Sequence, residues 1–175
     1  CTDAGVLVVN QTGGNAEGVA EHAVGMILNL FKRIGECDHA LRRGWNEPRV
    51  SLMGKDLLNK NVGIIGLGNT GGRVAEICKV AFNCNILAYD PYLSDEAFKK
   101  KNANKTELDI LLAESDVVSV HIPLNKETNN MINKNWFKKM KKGSYFVTTS
   151  RGSIHNEDDL YDILAEGYLL SLIHI

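Results

Sequence analysis

The sequence predicts an α/β protein with an open, doubly wound, mostly parallel β-sheet that carries helices on both faces. Two observations predict this fold class. Short apolar runs rich in β-branched residues recur along the chain, and segments with apolar residues at spacings of three and four separate them. Strands that alternate with helices in this way are typical of parallel sheets, because each crossover needs a long connection. At 175 residues, the chain has the length of about one domain.

The composition excludes several classes of partner. Hydrophobic residues make up 44% and charged residues 23% of the chain, as in an ordinary soluble globular protein. A net charge of −1 argues against a nucleic-acid partner, which would need a basic face. We interpret the lysine clusters at 99–101 and 138–142 as solvated helix ends. No apolar run reaches the length of a transmembrane helix, so we expect no membrane association.

The four cysteines predict neither a disulfide framework nor a metal site. They show no C-x-x-C and no ligand-like spacing to histidine, and they are Cys1, Cys37, Cys78 and Cys84. We interpret them as reduced thiols of a cytoplasmic protein, with Cys78 in the core.

The N-terminal third predicts a strand and then a long helix. Gly5–Val9 is an apolar run typical of a strand, and a polar loop follows it. Apolar residues at helical spacing predict an amphipathic helix from Ala16 to about Gly35, with Asn15 as its N-cap. The segment 36–58 is expected to be less regular.

A glycine-rich stretch organises the rest of the chain. Residues 62–65 predict a buried strand, a G-x-G-x-x-G follows at Gly66, Gly68 and Gly71, and a helix is predicted from near Thr70. The next predicted strand, 86–89, ends at Asp90. Gly66 permits the tight turn, Gly68 lets a pyrophosphate approach the backbone, and Gly71 lets the helix pack on the strand.

This context predicts dinucleotide binding rather than a plain glycine-rich turn beside a solvated carboxylate. The N-terminus of the helix would face the phosphates. Asp90 can accept hydrogen bonds from ribose hydroxyls and would repel a 2′-phosphate, and Pro91 and Tyr92 offer no cation. The sequence therefore favours NAD over NADP.

Further elements are predicted downstream. Four helices are expected, at 94–101, from Thr106 onward, at 134–141 and at 156–166. Ser94 would cap the first of them, and Thr106 would form a loose capping box with Asp109 at the start of the second. Gly143 and Gly167 would end the last two of these helices. Strands are expected at 117–122 and 145–149.

Four clusters of residues follow predicted strands, and ligands of parallel sheets bind beyond the carboxyl ends of strands. They are residues 66–71, Asp90, residues 121–123 and residues 149–151. We therefore expect them to converge in one crevice. A guanidinium at Arg151, on a turn relaxed by Gly152, could bind a carboxylate, although position alone also fits a surface arginine.

His121 is better explained as a packed residue that faces the cofactor than as a proton donor, because it lies deep in a strand end. The other histidines have no convincing carboxylate partner by spacing, and they are His22, His39, His155 and His174.

Four motifs give the chain a resemblance to a known family. They read NAEGVAEH at 15–22, GIIGLGNTGGRVAEI at 63–77 with AYDPY at 88–92, SDVVSVHIPLNKET at 115–128, and SRG at 150–152 with Asp158, Asp159 and Leu160 after it. In this order and spacing, the chain resembles the D-isomer-specific 2-hydroxyacid dehydrogenases. Within that family it is similar to D-3-phosphoglycerate dehydrogenases and hydroxypyruvate/glyoxylate reductases.

The resemblance implies a Rossmann-type domain that binds NAD, and it assigns roles to particular residues. The pyrophosphate would meet Gly66, Gly68, Asn69, Thr70 and Gly71, and the adenosine ribose would meet Asp90. His121, Pro123 and Thr128 would line the cleft, and Thr149 and Ser150 would approach the nicotinamide. Arg151 would be catalytic, binding the carboxylate of a 2-hydroxy or 2-keto acid and polarising its C2 oxygen. Thr70 stands where the family often has Ile or Val, and backbone contacts should survive this change.

The resemblance also implies a reaction and an assembly. Hydride would pass between nicotinamide and C2 of an acid of the D-3-phosphoglycerate, glycerate/hydroxypyruvate or D-lactate type. A homodimer would form through this domain, with the helix at 16–35 and the arm around Trp45 in the contact.

The family's catalytic Glu and His, and its substrate domain, are expected to lie outside this chain, so the chain alone should be inactive. We expect residues 1–169 to be the NAD-binding domain and residues 170–175 to be a non-native tail. One alternative is a non-catalytic, NAD-sensing, corepressor-like interaction module of the same fold. An adenosine-cofactor hydrolase is disfavoured because those enzymes lack the cleft with its Arg-Gly pair.

Overall fold

A computed structural model describes residues 2–46 and 48–174. Its centre is a six-stranded parallel sheet with the strand order β3-β2-β1-β4-β5-β6. The strands are β1 Asn61–Ile65, β2 Asn85–Tyr89, β3 Asn104–Lys105, β4 Val117–Val120, β5 Tyr145–Thr148 and β6 Ser171–His174. The order reverses direction at β1, between β2 and β4, which is where parallel sheets of this kind bind their ligands.

Helices cover both faces of the sheet, as predicted. They are α1 Ala16–Lys32, α2 Ile34–Arg42, α3 Asn69–Phe82, α4 Asp95–Lys100, α5 Leu108–Glu114, α6 Lys134–Lys139 and α7 Glu157–Ala165. Short 3₁₀ turns are found at Thr2–Ala4, Arg49–Leu52 and Gly152–Ile154.

Successive strand residues feed two separate hydrophobic clusters, because neighbouring side chains point to opposite faces of a sheet. Ile64 packs with Phe31 of α1 and Val74 of α3, whereas Ile65 packs with Leu111 of α5 and Phe137 of α6. The sheet is therefore buried on both sides, and its strands are almost uniformly apolar.

The strand predicted at Gly5–Val9 is wrong. These residues form no strand, and the side chains of Val6, Leu7, Val8 and Val9 are exposed. An apolar run becomes a strand only where its backbone groups find a neighbouring strand to pair with. Among the described residues, the sheet consists of six strands that begin at Asn61 or later, and none of them pairs with this segment.

The long N-terminal helix is two helices. Arg33 adopts a left-handed conformation with φ of 54°, which ends α1 at Lys32 and allows α2 to start at Ile34 in a new direction. The segment expected to be less regular therefore contains a helix over Ile34–Arg42, and Glu47 after it lies outside the described residues. Asn15 stands at the N-cap of α1, but its side chain makes no capping hydrogen bond.

Other helix signals have mixed outcomes. The capping box at Thr106 is wrong, because its hydroxyl donates to the carbonyl of Asn104 and α5 starts at Leu108. Ser94 is the N-cap residue of α4, again without a side-chain bond. Gly167 adopts positive φ directly after the C-cap residue of α7, as predicted, whereas Gly143 does not end α6, because that helix stops at Lys139 with Met140 as its C-cap.

The remaining predictions concern the chain ends, the cysteines and membrane spans. Ser171–His174 form β6, whereas Ile175 lies outside the described residues, and the non-native tail at 170–175 stays a prediction. Cys37, Cys78 and Cys84 are free thiols, Cys78 is in the core as predicted, and Cys1 lies outside the described part. Among the described helices, none combines the length and apolar character of a membrane span.

Candidate functional site

The glycine-rich turn joins β1 to α3 and requires glycine at two of its positions. Gly66 has φ of +86°, and a Cβ there would lie 2.8 Å from the carbonyl oxygen of His121 on the neighbouring strand end. A Cβ on Gly71 would overlap the carbonyl oxygen of Gly66, so the first turn of α3 rests directly on the turn. Both glycines act as the sequence predicts.

Gly68 serves a different purpose, because space is open above it. It is the N-cap residue of α3, and no atom lies within 4 Å of where its Cβ would be. The first backbone N–H groups of α3, beginning at Asn69 and Thr70, have no partner within the helix. An open approach to these groups at the positive end of a 14-residue helix suits a phosphate.

The Asp90 carboxylate ties the end of β2 to this turn. One carboxylate oxygen accepts the backbone N–H of Leu67 at 3.0 Å, and the other accepts the backbone N–H of Tyr92 at 3.0 Å. A carboxylate has about four lone-pair positions. Asp90 therefore keeps acceptor capacity for ribose hydroxyls while it braces the turn.

A cavity of about 290 Å³ opens beside Asp90. Six of the predicted site residues line it, and they are Gly66, Gly68, Asp90, His121, Pro123 and Thr128. The cavity wall is completed mostly by residues that sequence reasoning did not select, and they are Ile65, Tyr89, Pro91, Tyr92, Ile122, Asn125, Glu127 and Met131.

A second cavity of about 650 Å³ adjoins the first, because residues 121–123 line both. It brings together Thr70, Thr149, Ser150 and Arg151, all of them predicted, with Val19 of α1 and its N-cap residue Asn15. The four strand ends meet at these two adjoining cavities, which run from Asp90 at one end to Arg151 at the other, although Asn69 and Gly71 of the first cluster do not line either of them.

His121 stands where the two cavities meet, and its ring is held on both sides. Nε2 lies 2.9 Å from the Ser119 hydroxyl, and Nδ1 lies 3.1 Å from the Thr149 hydroxyl. Burial of the ring lowers the pKa of His121 to about 4, so the imidazole is neutral at physiological pH. A neutral ring with both nitrogens engaged is a structural part of the cleft, which agrees with its predicted role as a packed residue.

The Thr128 hydroxyl braces its own loop. It donates to the carbonyl of Pro123 at 2.7 Å and accepts the backbone N–H of Asn125 at 2.8 Å. Thr128 thus lines the first cavity while its polar group is already used, so its contribution is the shape of the wall.

Arg151 is exposed at the mouth of the second cavity, just past β5. Beside it, the Ser150 hydroxyl donates to the carbonyl of Val120 at 3.0 Å and joins the ends of β4 and β5. Gly152 does not relax the turn in the way expected, because its φ is not positive and a Cβ there would make only an ordinary contact with Glu157.

Two predicted residues lie outside both cavities. Gly71 is buried beneath the turn, and Asn69 faces a third cavity of about 550 Å³ between the start of α1 and the end of α4. Lys101 lines that third cavity as well, and its ammonium donates to the carbonyl of Gly68 at 3.1 Å. The prediction that Lys101 is only a solvated helix end is therefore wrong, because the side chain folds back onto the turn.

Comparison with known proteins decides the family. Residues 24–173 match the family described as D-isomer specific 2-hydroxyacid dehydrogenase, NAD binding domain. The chain belongs to the D-isomer-specific 2-hydroxyacid dehydrogenase family. Within it, the chain is the NAD-binding domain, as the glycine-rich turn and Asp90 predict.

Curated members of the D-isomer-specific 2-hydroxyacid dehydrogenases resemble it along nearly its whole length. It is 42% identical over 166 residues to D-3-phosphoglycerate dehydrogenase of Archaeoglobus fulgidus, covering 95% of this chain and 31% of the relative. It is 38% identical over 172 residues to glyoxylate reductase of Thermofilum pendens, covering 96% and 50%. The chain thus spans between about a third and half of the curated relatives that it matches.

Solved structures of dehydrogenases share the fold. D-lactate dehydrogenase from Aquifex aeolicus, complexed with NAD and lactic acid, is 35% identical and superposes with a TM-score of 0.88, covering 99% of this chain and 52% of that one. D-mandelate dehydrogenase of Rhodotorula graminis superposes with a TM-score of 0.88 at 29% identity over 99% and 52% of the two chains.

Some site residues of this D-2-hydroxyacid dehydrogenase domain escaped sequence reasoning. Tyr92 could have been found, since it follows Asp90 by two positions at a strand end. Glu127 and Met131 carried no signal, because they lie in and just after a polar loop whose path is set by tertiary contacts.

Proposed function

We propose that the chain binds NAD across the two adjoining cavities. The adenosine would lie beside Asp90, the pyrophosphate over Gly68 at the start of α3, and the nicotinamide between His121 and Arg151. The observation that carries this proposal is the continuous path from Asp90 to Arg151 through a shared wall at residues 121–123. Along this path, the polar groups follow one another in the same order as the adenosine, the pyrophosphate and the nicotinamide that they would contact.

We further propose that the whole protein is an NAD-dependent oxidoreductase of 2-hydroxy or 2-keto acids. When bound, NAD accepts or supplies hydride at its nicotinamide. Arg151 would bind the substrate carboxylate, since its guanidinium can form two parallel charge-assisted hydrogen bonds with it. The same guanidinium would polarise the C2 oxygen. The substrate class is supported by the relatives, which are named for phosphoglycerate, glyoxylate, lactate and mandelate.

The acid–base group of this reaction would come from elsewhere in the whole protein. His121 is unsuitable because a pKa near 4 makes it a weak base near neutral pH, and both of its ring nitrogens are already hydrogen-bonded. The reaction therefore needs a second histidine or carboxylate near Arg151, in keeping with the Glu and His that the resemblance implies.

Substitution of Arg151 tests the proposal. NADH binding, followed by energy transfer from tryptophan, should change less than about twofold in Arg151→Met. Binding of oxamate, an unreactive analogue of a 2-keto acid, to the NADH complex should weaken by at least about tenfold, because each lost charge-assisted hydrogen bond contributes about 1.5 kcal/mol or more. Equal oxamate binding by the variant would contradict the role of Arg151.

We also infer a homodimer formed through the arm that follows α1. All of α2 is without a buried residue, and Ile34, Leu41, Val50 and Met53 are exposed there. Leu41, Trp45 and Met53 line a mostly apolar cavity of about 590 Å³. Such a patch is typical of a surface that a second copy covers. Sedimentation at micromolar concentration should show a dimer in the wild type and a monomer in Leu41→Glu, and a monomeric wild type would contradict it.

A cytoplasmic location is proposed as well. It is supported by the free thiols of Cys37, Cys78 and Cys84, since oxidising compartments favour disulfides. Imaging of the whole protein with a fluorescent tag checks this location, and an extracellular signal would contradict it.

A further inference from the structure

Two carboxylates, rather than one, face the cavity beside the glycine-rich turn. Asp90 lines one wall and Glu127, in the loop after β4, lines another. Among the described residues that line this cavity, no lysine or arginine occurs. Lys101, the cation that reaches the turn, contacts Gly68 and lines the third cavity on its other side. The cavity wall is therefore acidic without a compensating cation.

The position of Glu127 is fixed by hydrogen bonds. Its carboxylate accepts the hydroxyl of Tyr92 at 3.0 Å, and its backbone N–H donates to the side-chain oxygen of Asn125 at 2.8 Å. Thr128 braces the same loop through Pro123. Because this exposed loop is tied down at several points, the carboxylate is held at the cavity and does not swing freely into solvent.

Tyr92 connects the two carboxylates. Its backbone N–H donates to Asp90 and its hydroxyl donates to Glu127, so the wall runs from Asp90 through Tyr92 to Glu127. The hydrogen bond to Glu127, together with the negative charge of that carboxylate, raises the pKa of Tyr92. Tyr92 therefore stays a hydrogen-bond donor throughout the neutral pH range.

We propose that Glu127, held by Tyr92, is a second specificity residue that acts with Asp90 to exclude a phosphate on the adenosine ribose. This inference rests on the proposed binding of the adenosine in this cavity. Two backbone N–H groups offset part of the negative potential of the Asp90 carboxylate. The Glu127 carboxylate, in contrast, accepts a hydrogen bond from a single neutral hydroxyl. A 2′-phosphate adds negative charge near both groups, and the repulsion from Glu127 would persist when Asp90 is neutralised.

The test separates charge from the hydrogen bond. Binding of AMP and of adenosine 2′,5′-bisphosphate, and of NADH and NADPH, would be measured calorimetrically for wild type, Glu127→Gln and Tyr92→Phe. Glu127→Gln should improve the relative affinity for each 2′-phosphorylated ligand by about threefold at low salt, and the gain should shrink at high salt because exposed charges are screened. Tyr92→Phe keeps the charge and should keep most of the discrimination.

Glu114→Gln is the matched control. It removes the same charge from the exposed end of α5. This end precedes β4, so it lies at the amino ends of the strands, away from the cavity at their carboxyl ends. It should leave the ligand ratios unchanged. The double variant Asp90→Asn with Glu127→Gln should improve the relative affinity for 2′-phosphorylated ligands over Asp90→Asn alone by the same factor. That result would confirm that Glu127 acts independently of Asp90.

Unchanged ligand ratios in Glu127→Gln, with NADH still bound, would overturn this inference and leave the proposed function intact. A wild-type chain that binds none of the four ligands would instead contradict the proposed function, and this inference would fall with it.

Discussion

The carboxylate of Asp90 accepts the backbone N–H of Leu67 at 3.0 Å, which ties the end of β2 to the middle of the glycine-rich turn. The residue that we propose to select the ribose therefore also holds the turn that we propose to receive the phosphates. Sequence reasoning assigned Asp90 only the first of these tasks. The second task makes stability, as well as binding, depend on this side chain.

Asp90→Ala should lower the free energy of unfolding by about 1–2 kcal/mol. Its removal leaves the partly buried N–H group of Leu67, and the exposed N–H group of Tyr92, without their acceptor. Urea unfolding followed by circular dichroism measures this loss, and Glu107→Ala, at an exposed glutamate, is the control. An Asp90→Ala chain as stable as wild type would show that the bond to the turn contributes nothing.

Two alanine substitutions in the turn should separate folding from binding. Gly71→Ala should cost about 3 kcal/mol of stability, because its Cβ would overlap the backbone of Gly66. Gly68→Ala should change stability by less than about 1 kcal/mol, since space is open there, but weaken NADH binding by about tenfold or more. Thermal unfolding and NADH titration of both variants test this contrast, and an unaltered NADH affinity in Gly68→Ala would contradict the pyrophosphate site.

His121 predicts a pH dependence of stability. Its native pKa is about 4, whereas an unfolded histidine titrates near 6.5. Between these values the unfolded chain binds a proton that the native chain does not, so this contribution is complete above about pH 6.5 and is lost as pH falls toward 4.

In His121→Gln, the free energy of unfolding should therefore fall by about 1 kcal/mol less than in wild type between pH 7 and pH 5. This difference is smaller than the pKa shift alone implies, because the ring is only partly buried. Urea midpoints of wild type and variant over this range measure the effect. Parallel profiles would show that His121 is protonated as easily in the native chain as in the unfolded chain.

The glycine-rich turn, Asp90 and the strand ends were predictable because local rules decide them. Only glycine fits the positive φ at Gly66 and the close contact at Gly71, so the presence of glycine at these positions is enough to predict the turn from the sequence. The parallel order of the strands follows from their alternation with helices.

The errors have a common physical cause, which is dependence on tertiary partners. Gly5–Val9 has the composition of a strand, but no neighbouring strand pairs with it among the described residues. Lys101 has the sequence context of a solvated helix end, yet its ammonium donates a hydrogen bond to the carbonyl of Gly68 at the start of α3. Glu127 reaches the cavity only because Asn125 and Thr128 shape its loop. None of these contacts has a periodic signal in the sequence.

Calorimetric titration of the chain with NADH and NADPH, in wild type and in Asp90→Asn, tests the central claim most directly. We predict that wild type binds NADH at least about tenfold more tightly than NADPH, because a 2′-phosphate would face the carboxylate of Asp90. The substitution should remove most of that preference while the chain stays folded. A wild-type chain that binds neither cofactor, or binds both equally well, would contradict the assignment of this site.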